Sequence, residues 1–168
     1  MTLSRDELDE FSKSMARAGG RDSQHVGEEE HLVVSSAEAH WIQTGSPSQI
    51  GLLLRIPARS IEFFLQKIPA GEGSDLHRHV HESVHFVQHG SGWSEIGDQR
   101  VRWSAGSFVY TPPWIWHRHY ADDGRDVEMI VIENSRLLAA VDASQRESMG
   151  NISFADAFGV AETCTPEH

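Results

Sequence analysis

The middle of the chain holds a cluster of histidines. Five of them fall within the fifteen residues "DLHRHVHESVHFVQH", from Asp75 to His89, and seven of the eleven histidines lie between His77 and His119. Neutral imidazole is the commonest metal ligand among side chains, and it also exchanges protons near neutral pH. The spacing of these histidines is therefore the first guide to what the protein does.

His77 and His79 are separated by one residue in "HRH". In a strand, residues two apart point to the same face, about 6.5–7 Å apart along the chain, so both imidazoles are directed to one side and Arg78 to the other. His117 and His119 repeat this spacing in "PPWIWHRHY". Two histidines rarely hold a metal ion by themselves, and this second segment offers a third ligand.

The histidines lie within a series of short apolar or alternating runs that Gly, Pro and Asp residues separate. The runs cover residues 51–56, 61–68, 83–88, 92–96, 99–103, 107–111 and 127–133. Several short strands at regular spacing are typical of an antiparallel sandwich or small barrel. The sequence therefore predicts an all-β domain.

The two ends differ from this central part. An amphipathic helix is predicted at 4–18, where Ser4 can cap it, and an acidic linker follows. After Asn134, "SRLLAAVD" predicts a short closing helix, and the segment from residue 146 onward has little pattern. We therefore predict an N-terminal helix and linker at 1–31, a barrel at 32–145 and a C-terminal tail at 146–168.

Composition restricts the class of protein. The 168 residues carry a net charge of −11, concentrated near both ends, which indicates solvated termini. No basic patch interleaved with aromatic residues predicts a nucleic-acid partner, and no apolar stretch approaches a membrane span. Cys164 is the single cysteine and cannot form an internal disulfide, which fits a reducing compartment. We expect a cytoplasmic protein that binds neither nucleic acid nor membrane.

Two motifs around the histidines resemble those of the cupin superfamily. The first has a Gly, a His-x-His and a second Gly, and the second has a Gly, a Pro and a His. The matching residues are Gly71, His77, His79 and Gly90 in the first motif, and Gly106, Pro112 and His117 in the second. The resemblance covers roughly residues 50–135. It implies a double-stranded β-helix barrel of antiparallel strands with a metal ion inside, held by His77, His79 and His117.

The chain departs from the cupin pattern at its carboxylate. Ser83 stands at the family's Glu position, and Glu82 is one residue off, where a strand directs its side chain to the opposite face. A subset of cupins shares this loss. "YTPPWIWHRH" looks most like the gentisate 1,2-dioxygenase group, which cleaves hydroxylated aromatic acids with Fe(II) on three histidines. Those enzymes are usually two-barrel chains, and single-barrel three-histidine dioxygenases that cleave β-diketones or dihydroxyacetophenones are similar too.

The resemblance implies a mononuclear non-haem Fe(II) dioxygenase that uses O₂ to cleave a C–C bond of a small hydroxylated aromatic or diketone-like substrate. Three neutral histidines leave the full +2 charge on the ion, which favours an anionic, chelating substrate. Zn, Ni, Mn and Cu stay open as the metal, because ligand type does not fix it. Two other functions stay open: a non-redox metal-dependent isomerase or lyase, and a non-catalytic metal- or ligand-binding module. Because barrel cupins commonly pair, we expect a homodimer.

Two further histidines are candidates for catalysis. His85 shares strand parity with Ser83 and should point inward, at a position that in the gentisate group resembles an arginine serving the substrate carboxylate. We interpret His85 as a hydrogen-bond donor or acid–base group, with a packed, satisfied histidine as the alternative. His119 can bond a ligand or substrate, or it can lie at a wetter strand end. We expect His81 and His89 on the rim, and Tyr110 in the core.

Overall fold

The computed structural model of the chain describes residues 32–159, so the helix predicted at 4–18 lies outside the described residues. Within this part of the chain a 3₁₀ turn at Ser36–Glu38 precedes eleven strands and two short helices. The strands are β1 (His40–Gln43), β2 (Gln49–Leu52), β3 (Glu62–Ile68), β4 (Leu76–His79), β5 (Ser83–His89), β6 (Ser91–Ile96), β7 (Gln99–Ser104), β8 (Phe108–Thr111), β9 (His117–Ala121), β10 (Val127–Glu133) and β11 (Arg146–Gly150). The helices are α1 (Ser135–Ala140) and α2 (Phe154–Phe158).

The strands form two antiparallel sheets. The six-stranded sheet has the order β1-β2-β3-β10-β5-β8, and the five-stranded sheet has the order β11-β4-β9-β6-β7. Some neighbours come from distant parts of the chain: β4 pairs with β9 and with β11. This arrangement confirms the predicted all-β class. It also brings the two histidine segments, β4 and β9, side by side.

Alternation along the strands decides which side chains face the interior. In β5 the buried residues are Ser83, His85 and Val87, and the residues between them are more exposed. Val87 packs in an apolar core with Ile68 and Val127 at one end of the strands. The opposite end of β5 carries Ser83 and His85, and His85 lies opposite the apolar Val131 of β10. The interior is therefore mixed in polarity at this end of the strands and apolar at the other.

The segment predicted as a tail with little pattern is ordered in its first part. Strand β11 pairs with β4, placing Arg146 opposite His79, and α2 buries Phe154. All but one residue of β11 is exposed, so this strand has no hydrophobic alternation by which the sequence could reveal it. The expectation of a tail was wrong for residues 146–158, while the division of the chain at residues 31 and 145 stays a prediction.

Helices α1 and α2 are both short. Helix α1 lies within the predicted "SRLLAAVD" segment, and the N–H of Leu137 donates to the carbonyl of Ser60. Helix α2 begins after Ser153, whose hydroxyl caps it by accepting from the N–H of Asp156. Across residues 32–159, no helix has the length and apolar character that crossing a membrane requires.

Candidate metal centre

Three histidines from the two motifs converge at the junction of β4 and β9. His77 is paired with His117 in the antiparallel register, and His79 ends the same strand as His77. One ring nitrogen from each of the three side chains lies within 4.8 Å of the other two. The closest approach joins Nε2 of His77 to Nε2 of His117 at 3.1 Å. The chain therefore brings together the three residues that its motifs single out.

The opposite nitrogen of each ring contacts a backbone carbonyl. Each Nδ1 is within hydrogen-bonding distance of one carbonyl oxygen: His77 of Asp75 at 2.9 Å, His79 of His81 at 2.7 Å and His117 of Ile115 at 2.8 Å. A carbonyl oxygen can only accept, so these contacts place the proton on Nδ1 in each ring. Each Nε2 then carries a lone pair instead of a proton. Fixing the tautomer through the second nitrogen is the usual way a protein orients a metal-binding histidine.

Burial keeps these histidines neutral. Loss of solvent lowers the pKa of His77 and of His117, and a buried, uncharged imidazole is the form that binds a cation. For His79, burial first and the nearby His81 and His77 second lower the pKa to about 4. At neutral pH two lone pairs thus face each other across 3.1 Å, an arrangement that repels unless a cation lies between them. The donor set therefore fits a divalent metal ion, whose identity three imidazoles do not decide.

Asp75 supports His77 from behind. Its side chain is almost fully buried, and Oδ2 accepts from Arg146 Nη2 and, at 2.7 Å, from Ser148 Oγ, both in β11. The other oxygen, Oδ1, is 3.5 Å from Nδ1 of His77. Burial raises the pKa of Asp75, but His77, Arg146 and Ser148 outweigh burial and hold the pKa below its ordinary value. The resulting carboxylate helps to fix the orientation of the His77 ring.

His81 lies beside His79 instead of on the rim, so the expectation for it was wrong. The two rings stack with centroids 3.7 Å apart and planes 9° from parallel. Nε2 of His81 is 3.0 Å from Oε2 of Glu133, a residue at the end of β10. This contact comes from a strand more than fifty residues away, which the local pattern around His81 could not reveal. His89, by contrast, is exposed as expected.

His85 and His119 form a second buried group next to the three-histidine cluster. Their ring centroids are 4.4 Å apart, and His85 Nε2 is 3.1 Å from Ser83 Oγ. Burial lowers the pKa of His85 to about 3 and that of His119 well below its ordinary value. His119 is fully buried, so the interpretation that places it at a wet strand end was wrong. The catalytic roles of both residues stay predictions.

A hydrogen-bonded chain fixes the tautomer of His119. Trp103 Nε1–H donates to Ser94 Oγ at 2.7 Å, and Ser94 Oγ is also 2.7 Å from His119 Nδ1. Because Ser94 accepts from the indole, its own proton is free for Nδ1, and the proton of His119 then resides on Nε2. That N–H and Nδ1 of His85 are both buried, and neither has a hydrogen-bond partner among the described residues.

A cavity of about 190 Å³ opens beside the cluster. Its apolar wall consists of Ile50, Leu52, Phe64 and Val131. Its polar wall consists of Glu62, Gln66, Asp75, His77, His79, His81, Ser83, His85, Glu133 and Arg146, with Thr44 beside them. Sites for drug-sized ligands measure about 300–1,000 Å³. This cavity therefore suits a small molecule with one apolar face.

Comparison with known proteins agrees with this geometry. The profile of the cupin domain family matches residues 64–133, which span β3 to β10 and include every residue of the cluster. These residues are a cupin domain. This domain is related to gentisate dioxygenase-like proteins, and the two sheets that contain it are those of the predicted cupin barrel.

Two curated proteins are similar to this chain in sequence, and one solved structure is similar to it in fold. Over 77 residues it is 36% identical to gentisate 1,2 dioxygenase 1 of Aquipseudomonas alcaligenes, covering 40% of this chain and 22% of that protein. Over 52 residues it is 33% identical to 5-aminosalicylate 1,2-dioxygenase of Comamonas sp, covering 31% of this chain and 14% of that protein. The chain therefore spans only a small part of the curated relatives it matches. Salicylate 1,2-dioxygenase of Pseudoaminobacter salicylatoxidans, solved with gentisate adducts, has the same fold with a TM-score of 0.56 and 11% identity, over 88% of this chain and 37% of that one.

The structure agrees with the predicted departure from the cupin pattern at the position of the family's glutamate. Ser83 faces the cavity, whereas Glu82, immediately before β5, is exposed and accepts from the Tyr110 hydroxyl at 3.0 Å. Tyr110 is itself exposed, so the expectation that it fills the core was wrong. In this cupin the nitrogen donors of the cluster thus have no carboxylate ligand from the motif position.

Proposed function

We propose that the protein is a mononuclear non-haem Fe(II) dioxygenase that uses O₂ to cleave a C–C bond of a small hydroxylated aromatic or diketone-like substrate. The observation that carries the proposal is the convergence of one ring nitrogen each from His77, His79 and His117, beside a small cavity that His77 and His79 line. The segments shared with gentisate and 5-aminosalicylate dioxygenases support the choice of chemistry.

Each group of residues has a distinct task in this proposal. His77, His79 and His117 would hold the metal ion, which when bound supplies a Lewis acid and redox centre for substrate and O₂. Ile50, Phe64 and their apolar neighbours orient the body of the substrate and exclude water.

His85 is the residue that we assign to contact the substrate. It lines the cavity, stays neutral because it is buried, and has Nδ1 without a partner among the described residues. A neutral imidazole there can hold or accept the proton of a substrate hydroxyl. His119 lies behind His85 and away from the cavity lining, so we assign it a positioning role, transmitted through the contact of the two rings.

The test is O₂ uptake by the full chain after anaerobic loading with Fe(II). The substrate panel is gentisate, salicylate, hydroxynaphthoates, hydroquinones, β-diketones and dihydroxyacetophenone. We expect uptake, stoichiometric with substrate loss, for at least one compound, and incorporation of both oxygen atoms into its product. Absence of uptake with every compound would contradict the proposal.

The same panel separates the other functions. Turnover without O₂ by the Zn, Ni or Mn form would identify an isomerase or lyase, and tight binding without turnover would identify a binding module. Cu is tested as a further metal in the same assay. We also propose a homodimer and a cytoplasmic location, which light scattering of the purified chain and fractionation of cells expressing it would test.

A further inference from the structure

Strand β11 supplies a cation to the cavity. Arg146 lies opposite His79 in the β4–β11 register, and its side chain lines the same cavity as the histidines. Among the described residues that line this cavity, Arg146 is the only arginine or lysine. The motifs give no hint of it, because β11 lies beyond the residues that the cupin profile matches.

Arg146 uses only part of its hydrogen-bonding capacity. A guanidinium has five N–H donors arranged as a planar fork. Within residues 32–159, the Arg146 guanidinium makes one hydrogen bond, from Nη2 to Asp75, and the Arg146 side chain is 45% exposed although that of Asp75 is 3% exposed. On the same pair of strands, Arg78 contacts Glu147 through both Nε and Nη2. Arg146 therefore neutralises Asp75 with one edge, and its remaining donors are open to another acceptor.

The acids around the cavity are already engaged. Glu133 contacts His81, Asp75 accepts from Arg146 and Ser148, and Glu62 accepts from Ser135 and Arg136. A carboxylate brought by a ligand would find its complement in the free edge of Arg146, because guanidinium and carboxylate match in shape and charge. The apolar wall would receive the rest of the ligand.

We propose that Arg146 is the specificity-determining residue that binds the carboxylate of a small aromatic acid in this cavity. This inference rests on the proposed function for the reaction that follows, and it narrows the substrate to carboxylate-bearing compounds over diketones. Its consequence is that β11, outside the two histidine motifs, selects the substrate. Asp75 then has two roles, holding the Arg146 fork in place and orienting His77.

The test compares carboxylate and amide forms of one ring. Salicylate and salicylamide, with gentisate and gentisamide as a second pair, are titrated by calorimetry into the full chain, whose metal content is recorded. We expect the wild-type protein to prefer each carboxylate. In Arg146→Gln the preference should fall about 10-fold or more, through weaker carboxylate binding, while amide binding changes less than about 3-fold. Arg102→Gln is the matched control, since Arg102 is also an exposed arginine that contacts one aspartate through Nη2.

A double variant controls for the buried Asp75 carboxylate, which Arg146→Gln leaves without its arginine partner. In Asp75→Asn/Arg146→Gln no buried carboxylate is left unpaired, so a loss of carboxylate preference in both variants supports the inference. Return of the preference in the double variant, equal loss for acid and amide, or no preference in the wild type would overturn it. If the preference depends on Arg146 but no compound consumes O₂, the dioxygenase proposal fails and the anion site stands. If the protein consumes O₂ but its preference for carboxylates does not depend on Arg146, the dioxygenase proposal stands and the anion site fails.

Discussion

His77 and His117 face each other across β4 and β9 with their Nε2 atoms 3.1 Å apart, and both carry the Nδ1 proton toward a backbone carbonyl. Two neighbouring lone pairs in a buried place are unfavourable without a shared proton or cation. Because the carbonyls hold both protons on the far side of the rings, the structure favours a metal ion over an imidazole–imidazole hydrogen bond. The predictions below follow from this relationship and from the groups around it.

Replacing His85 separates the metal ligands from the substrate-contacting residue. Since His85 is outside the three-nitrogen cluster, His85→Ala should retain the metal at the wild-type ratio and change kcat or KM for the substrate. Metal content by elemental analysis and steady-state O₂ uptake measure the two effects. His89→Ala, at an exposed strand end, serves as control and should alter neither. Loss of metal in His85→Ala would show that our assignment of ligands is wrong.

Asp75 should contribute to metal affinity although it is not a ligand. Asp75→Asn removes the carboxylate beside His77 Nδ1 and leaves a side chain of similar size. Loss of such a supporting group typically weakens metal binding about 10- to 100-fold. Competition with a chelator of known affinity measures the change, and Asp98→Asn, at an exposed position, is the control. Unchanged affinity would mean that the backbone carbonyl alone orients His77.

Ser94 should be needed for stability because its hydroxyl links two buried polar groups, the indole N–H of Trp103 and Nδ1 of His119. Ser94→Ala leaves the indole N–H of Trp103 and Nδ1 of His119 without their common partner. An unsatisfied buried polar group costs about 1–3 kcal/mol, so the free energy of unfolding should fall by at least that amount. Urea unfolding measures it, with exposed Ser60→Ala as the comparison. A change as small as that of the control would contradict the hydrogen-bonded chain that we describe.

Acid should destabilise the metal-free protein well above the range where carboxylates titrate. An unfolded chain protonates its histidines below pH 6.5, whereas the folded protein protonates His79 only near pH 4 and His85 only near pH 3. The unfolded state therefore binds more protons over this interval, and stability falls as pH falls from 6.5 towards 4. Each such histidine adds a slope of about 1.4 kcal/mol per pH unit.

Urea unfolding between pH 4 and 9 tests whether stability falls on acidification, as predicted. These histidines are neutral in both states above pH 7.5, so they contribute no slope there, and His85→Gln should reduce the slope below pH 6.5. Stability that stays constant or rises on acidification would contradict the burial of neutral histidines.

The motifs predicted the three clustered histidines because strand alternation and short spacings within each motif determine which way these side chains point. His77 and His79 share strand parity, and the turn from Pro112 brings β9 beside β4, so His117 reaches the same place. The inward direction of His85 follows from the same alternation, since it shares a face of β5 with Ser83. These features depend on neighbours in the sequence, which a single chain displays.

The rest of the site depends on contacts between distant segments. Glu133 reaches His81 from β10, and Arg146 and Ser148 reach Asp75 from β11. Strand β11 is held by backbone pairing and ion pairs instead of a buried apolar face, so it lacks the alternation that reveals a strand. The sequence therefore predicted the nitrogen cluster and missed the charged groups that surround it.

The most direct test of the account is the number of metal ions bound per chain. Equilibrium dialysis of the full chain against Fe(II) without oxygen should give one ion per chain for the wild type. It should give almost none for His77→Ala, His79→Ala or His117→Ala, while circular dichroism shows that each variant keeps its β-structure. Retention of one tightly bound ion by any of these three folded variants would contradict the three-histidine centre.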